Sequence, residues 1–234
     1  MTGYIDSLMI TQYCRYTQEF EPVVLCSFID QIEDAGIGSV CDVQSAVATP
    51  PGVLLLMDFE DQRLVDRSHH GHVVEPDGND ISIIADGAIG SYSLYLDSSS
   101  TINNYLVVEE DSPLAINGDF TIETWVYFID DTAHSTYYAY QDILASENYA
   151  CLSGEGGSFV LRRLPSGNVE VRIYDVGSSC SAAVDTPDGT VAGQYMEHGV
   201  WYHIAFVRSG TGERNCHVYV DGAEWLTFTY VHTD

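Results

Sequence analysis

Basic residues are scarce in this chain: 8 Lys and Arg stand against 35 Asp and Glu in 234 residues, a formal charge of −27. Such a field repels phosphate backbones and anionic headgroups, which excludes nucleic acid and membrane surfaces as expected partners. Long apolar runs are missing too. The longest, Val53 to Met57, is strand-sized and far short of the roughly 18 residues that a membrane-spanning helix needs. Helical periodicity is nearly absent, and only residues 27–47, around Ile29 to Asp34, suit a short helix. No Cys-x-x-Cys pair occurs among Cys14, Cys26, Cys41, Cys151, Cys180 and Cys216, so a zinc site is not expected. Residues Met1 to Asp6 have neither a basic start nor an apolar stretch, so no cleaved secretory signal is expected and the thiols are read as reduced. Neither a Gly-x-Ser-x-Gly elbow nor a Gly-rich phosphate loop opening a helix occurs.

What is present is β-forming sequence. Hydrophobic residues at 45% can supply a full core, and the 16 Tyr suit strands with one wet face. Val53 to Phe59 is continuous and apolar behind Pro50-Pro51-Gly52, which predicts a buried strand. Ser91 to Leu96 alternates, and Asn104 to Val108 is a short strand after a polar turn. Phe120 to Phe128 alternates strongly: Phe120, Ile122, Thr124, Val126 and Phe128 share one face, and Glu123, Trp125 and Tyr127 the other. Ser158 to Arg163 and Asn168 to Tyr174 flank a Leu-Pro-Ser-Gly turn, and Trp201 to Arg208 and Cys216 to Val220 flank Ser209 to Gly212. Asp221-Gly222 turns the chain into Glu224 to Tyr230. Many short strands between Gly, Pro and Asp turns predict an all-β antiparallel sandwich or barrel.

The motifs narrow this further. Leu54 to Glu60, Val65 to His72, Ser93 to Asp97, Gly118 to Val126, Trp201 to Arg208 and Val218 to Gly222 follow in an order that resembles laminin G-like, concanavalin A-like jelly-roll domains of bacteriophage virion proteins and of bacterial surface and glycan-binding modules. The resemblance implies a two-sheet jelly-roll β-sandwich. Such domains end on a strand of the form Gly-Tyr-Ile-Asp followed by Arg-Tyr-Thr and Phe-x-Pro. Here that ending stands first, as Gly3 to Ile10, Arg15-Tyr16-Thr17 and Phe20-Glu21-Pro22. The expected organisation is a displaced edge strand in 1–22, a linker in 23–50 and the jelly-roll body in 51–234. Tyr4, Ile5, Leu8 and Ile10 would then act as an assembly strand. It closes its own sheet, completes a neighbouring copy, or finishes a preceding repeat.

What the resemblance implies about function is binding or assembly without catalysis. Its first reading is a virion structural or decoration protein, made in the host cytoplasm and displayed on the particle surface, with other virion proteins or copies of itself as partners. The alternative is a glycan-binding module for attachment. Related domains hold calcium at the sheet rim, which nominates Asp6, Asp58, Glu60 and Asp66, with Asp97 and Asp221 in nearby turns. Tyr137, Tyr138 and Tyr140 form an aromatic connection suited to a sugar or a protein partner. Glu123 beside Trp125 and Tyr127 suits a sugar platform but reads more simply as structural. His69, His70 and His72 read as a polar turn rather than a metal site, and His203 as a packed strand residue. Glycoside hydrolysis needs two carboxylates flanking the bond, and no Glu-x-Asp-x-Glu triplet occurs.

Overall fold

The computed structural model describes residues 3–20, 52–97, 104–108, 118–129, 141–145, 158–164, 167–174, 195–210 and 215–229. Every regular element among them is a strand, and every pairing is antiparallel. The strands are β1 (Gly3–Thr11), β2 (Val53–Met57), β3 (Val74–Asp77), β4 (Ile81–Ile84), β5 (Ser93–Leu96), β6 (Tyr105–Val108) and β7 (Phe120–Phe128). They continue with β8 (Gln141–Ala145), β9 (Ser158–Arg163), β10 (Val169–Tyr174), β11 (Trp201–Arg208), β12 (Cys216–Val220) and β13 (Ala223–Phe228). The large sheet runs β13-β12-β11-β7-β1-β5-β4, with β2 also on β1, while β10-β9-β8 form a second sheet and β3-β6 a small third one. This is the jelly-roll β-sandwich.

The alternation of β7 decides which side is inside. Phe120, Ile122, Val126 and Phe128 are buried with Ile10, Leu94, Leu96, Ile204, Phe206, Val218 and Val220 of the large sheet and with Ile143, Leu161, Val169 and Val171 of the second sheet. Residues of opposite phase, Tyr4, Tyr95, Trp125, Tyr127 and Trp201, stay half-buried on the outer face. The turns follow local chemistry. Asp221 (φ 49°) and Gly222 (φ 79°) both take left-handed backbone, as the two-residue link from β12 to β13 requires.

The displaced strand is the main departure from the sequence reading. Expected at an edge, β1 lies inside the sheet instead. It pairs with β7 along one side, and on the other with β5 through Gly3–Ile5 and with β2 through Leu8–Thr11. The change of neighbour coincides with a bulge, where the β7 register shifts between Asp6 and Met9 and Ser7 takes φ 53°. The physical reason is that Ile5, Leu8 and Ile10, brought to one face by the bulge at Ser7, supply core side chains from a strand both of whose backbone edges are hydrogen-bonded. Strands β3, β4 and β8 were not read from the sequence. They are only 4, 4 and 5 residues long, and Pro76 sits in β3, which has a single partner. The expected linker and its helix lie outside the described residues.

Candidate functional site

The outer face of the large sheet has two halves with opposite fates. One is roofed by residues 12–20, the chain leaving β1. Arg15 pairs with Glu123, and Tyr16 donates its hydroxyl to Glu123 Oε2 at 2.7 Å. The Arg15 amide donates to Thr121 Oγ1 at 3.0 Å and the Phe20 amide to the Gly222 carbonyl at 3.0 Å. Phe20 stacks on Tyr16 at 3.6 Å between ring centroids and meets His203 and Tyr219 edge-on. Glu123 and His203 are each only 1% exposed beneath this strap, with His203 Nε2 3.3 Å from Glu123 Oε2. Burial, reinforced by Glu123, pushes the Tyr16 hydroxyl far above its ordinary value, so it stays a donor at any physiological pH. Burial also raises Tyr219, to about 12. Glu123 is therefore the anchor of the strap, and the structural reading of this residue holds.

The other half carries a cluster of rings, in which Tyr4, Tyr127 and Trp201 form a triangle, with Tyr4 and Trp201 6.1 Å apart, and Tyr95 flanks Tyr4. Strand register sets Tyr95 against Tyr4, Tyr4 against Tyr127, and Tyr127 against Trp201, across β5, β1, β7 and β11. Neighbouring ring centroids are 5.2, 5.3 and 5.5 Å apart, tilted by 41°, 50° and 56°. All four rings keep part of their surface in solvent. Exposed Ser82 of β4 pairs with Tyr95 at the edge of the cluster. The acidic side chain of Asp86, also exposed, lies close enough to raise the Tyr4 hydroxyl, second to burial. The cluster was not foreseen. Its signal was present in the Tyr residues out of phase with the core in three separate strands, but only pairing reveals that they meet.

The four carboxylates nominated for calcium do not fit a shared ion. Asp6 Oδ1 accepts from Ser7 Oγ at 3.0 Å, and its Oδ2 from the Ile89 amide at 2.9 Å. Glu60 accepts from the amides of Ser91 (2.9 Å) and Tyr92 (3.2 Å). Gly90 (φ 72°) brings the chain so near Glu60 that a Cβ there would collide with the carboxylate. Asp58 is held by Arg67 at 2.7 Å. Asp66 organises its own turn, accepting from the amides of Leu56, Ser68 and His72 and from the Ser68 hydroxyl. Each carboxylate is thus committed to protein donors, and among the described residues no three His, Cys, Asp or Glu side chains form a metal-binding group. The rings of His69 and His70 lie 3.9 Å apart, and those of His70 and His72 5.5 Å. Tyr137, Tyr138 and Tyr140 lie outside the described residues. Tyr105 and Tyr195 are exposed, and their hydroxyls donate to Asp77 and Glu197. Cys14 and Cys216 are free thiols.

Asp6 has a consequence for stability. It is fully buried, and that burial raises its pKa from 3.8 to about 6 despite the hydrogen bonds it accepts. Between those values the folded chain holds a proton that the unfolded chain has released. The resulting stabilisation is therefore complete below about 3.8 and lost as pH rises through about 6. The full window is worth on the order of 3 kcal/mol. Urea unfolding of Asp6→Asn is expected to show a flatter pH dependence between pH 4 and 7 than the parent chain. Equal slopes would remove Asp6 as the cause.

A family model described as the concanavalin A-like lectin/glucanases superfamily matches residues 97–234, more than half of the chain. The match starts just after β5 and so leaves out β1 and Tyr4. No curated protein and no solved structure matches the chain.

Proposed function

Because this chain belongs to the concanavalin A-like lectin/glucanases superfamily, we propose that it is a non-catalytic, lectin-like binding module whose aromatic cluster receives the sugar rings of a glycan. The observation that carries this is the cluster of Tyr95, Tyr4, Tyr127 and Trp201, each ring half-buried on the face turned away from the core. Aromatic faces cover the apolar side of a pyranose while phenolic hydroxyls reach its polar edge. Asp86, exposed near Tyr4, is a single carboxylate where hydrolysis needs two, and the other carboxylates beside the rings are buried. Glu123 is sealed under Arg15 and Tyr16, and Asp6 is buried against Ile89. Neither is free to flank a glycosidic bond. On a broad glycan array the chain is expected to retain ligands that Tyr127→Ala fails to hold. An array without binders, or binders indifferent to Tyr127→Ala, would retire this reading.

A second reading sets the module on a virus particle as a structural or decoration protein, assembled partly through its N-terminal strand. The motif order favours it, and assembly through β1 would need that strand to be exchanged between copies, since both its edges are paired within the chain. Its test is mass spectrometry of purified particles, and absence of the chain from them would end it. The two readings are compatible, since a displayed domain needs an outward binding face.

A further inference from the structure

We infer that this chain is built for concentrated salt: hydrated monovalent cations, held as a diffuse cloud and not at one site, neutralise its surface, and the folded state gains stability as their concentration rises. The inference does not depend on the glycan reading. It rests on where the fold places each sign of charge.

The acids face outward. Among the described residues 11 Asp and Glu are exposed, among them Glu19 on the strap, Glu75, Asp77 and Asp80 in and after β3, and Glu224 on β13. All 8 basic residues of the chain are arginine, and Arg63 is the single exposed one among the described residues. The other arginines that can be placed turn inward. Arg15 is held by Glu123 and Arg162 by Glu170, with every one of these four side chains nearly closed to water. Arg163 donates from Nε to the Met196 carbonyl at 3.0 Å and lies 5.3 Å from the centre of the Phe128 ring. Arg208 is buried in β11. Only Arg67, partly exposed, spends its charge near the surface, on Asp58 and Asp61.

This separation fixes how dissolved ions act. A net charge of −27 opposes the compact state through self-repulsion, because unfolding spreads the charges apart. The screening length falls from about 10 Å at 0.1 M salt to about 3 Å at 1 M, and screening reaches exposed charges far better than buried pairs. Salt therefore removes the repulsion among the outward carboxylates while leaving Arg15–Glu123 and Arg162–Glu170 in force. A chain with its attractive pairs on the surface would lose them under the same conditions. No particular ion is called for, since among the described residues no three side chains form a metal-binding group. Potassium and sodium should serve alike.

Urea unfolding of the full chain in rising KCl is the test. Between about 0.1 and 1 M KCl, the range over which screening becomes short, the urea midpoint is expected to double, and NaCl should trace the same curve. Sucrose at equal osmolality is the control, because it favours burial by exclusion from the surface without screening charge; it should give less than half of the gain. Reversing three exposed acids together, Glu19→Lys, Glu75→Lys and Asp80→Lys, should raise the midpoint in dilute buffer and flatten its rise with salt. A midpoint of the parent chain that stays level or falls as KCl is added overturns the inference. So does a gain from sucrose equal to that from KCl, or a triple variant that keeps the parent's salt dependence.

Discussion

Deleting residues 1–20 is expected to abolish the cooperative unfolding transition and to send the remaining chain into aggregates. The deletion removes an interior strand that pairs with β7, β5 and β2. Ile5, Leu8, Met9 and Ile10 leave the core with it. At about 1.5–3 kcal/mol for each buried aliphatic side chain, that loss approaches the entire stability of an ordinary domain. It also bares one edge each of β7, β5 and β2, and unpaired edges template intermolecular pairing. A peptide of residues 1–20 added in trans should restore the transition, because the slot it left is defined by the same ladders. Light scattering of the intact chain should return the mass of one chain if β1 closes its own sheet. A multimer that the deletion dissociates would mean that β1, and Tyr4 of the aromatic cluster with it, is lent to a neighbour. A truncated chain that still unfolds in one sharp transition would sink the closing role altogether.

Arg15→Ala is expected to cost about 3–5 kcal/mol, far more than the loss of a surface ion pair, because it strands the Glu123 carboxylate in a site almost closed to water. Tyr16 would remain as a donor to that carboxylate, but it supplies no charge. The double variant Arg15→Ala with Glu123→Gln should recover much of the loss, since no uncompensated charge is then buried. Denaturant curves of the two single variants and the double close the cycle. Additive losses would mean that the strap is held by its backbone contacts and its Phe20 stack rather than by this pair.

These two results address the parts of the molecule that the sequence described least well. Core strands were legible because alternation is local. Phe120 to Phe128 declares its inward and outward faces within nine residues. The hairpins β9-β10, β11-β12 and β12-β13 were legible for a related reason, since their turns lie between adjacent strands and carry Gly, Asp or Pro. Strands β4 and β8 were not, being too short to alternate visibly beside polar neighbours. The donors around the carboxylates nominated for calcium were hidden by the same distance. Asp6, Asp58, Glu60 and Asp66 do converge on the loops around β1 and β2, but each meets its own amide, hydroxyl or guanidinium donors there. A carboxylate in sequence carries no record of which donors the fold will bring to it.

By itself the sequence determined an all-β jelly roll, an acidic surface hostile to polyanions, and an N-terminal segment built like the closing strand of that fold. The all-β class and the acidic surface follow from composition and periodicity, and the jelly roll and the closing strand from the resemblance that the motif order carries. Tertiary structure alone decided that β1 is interior, that Arg15 and Tyr16 seal Glu123, and that Tyr4, Tyr95, Tyr127 and Trp201 meet in one cluster. Those outcomes depend on register between strands separated by up to about two hundred positions, from Tyr4 to Trp201. A slip of one residue in any of them would turn a ring from the open face into the core.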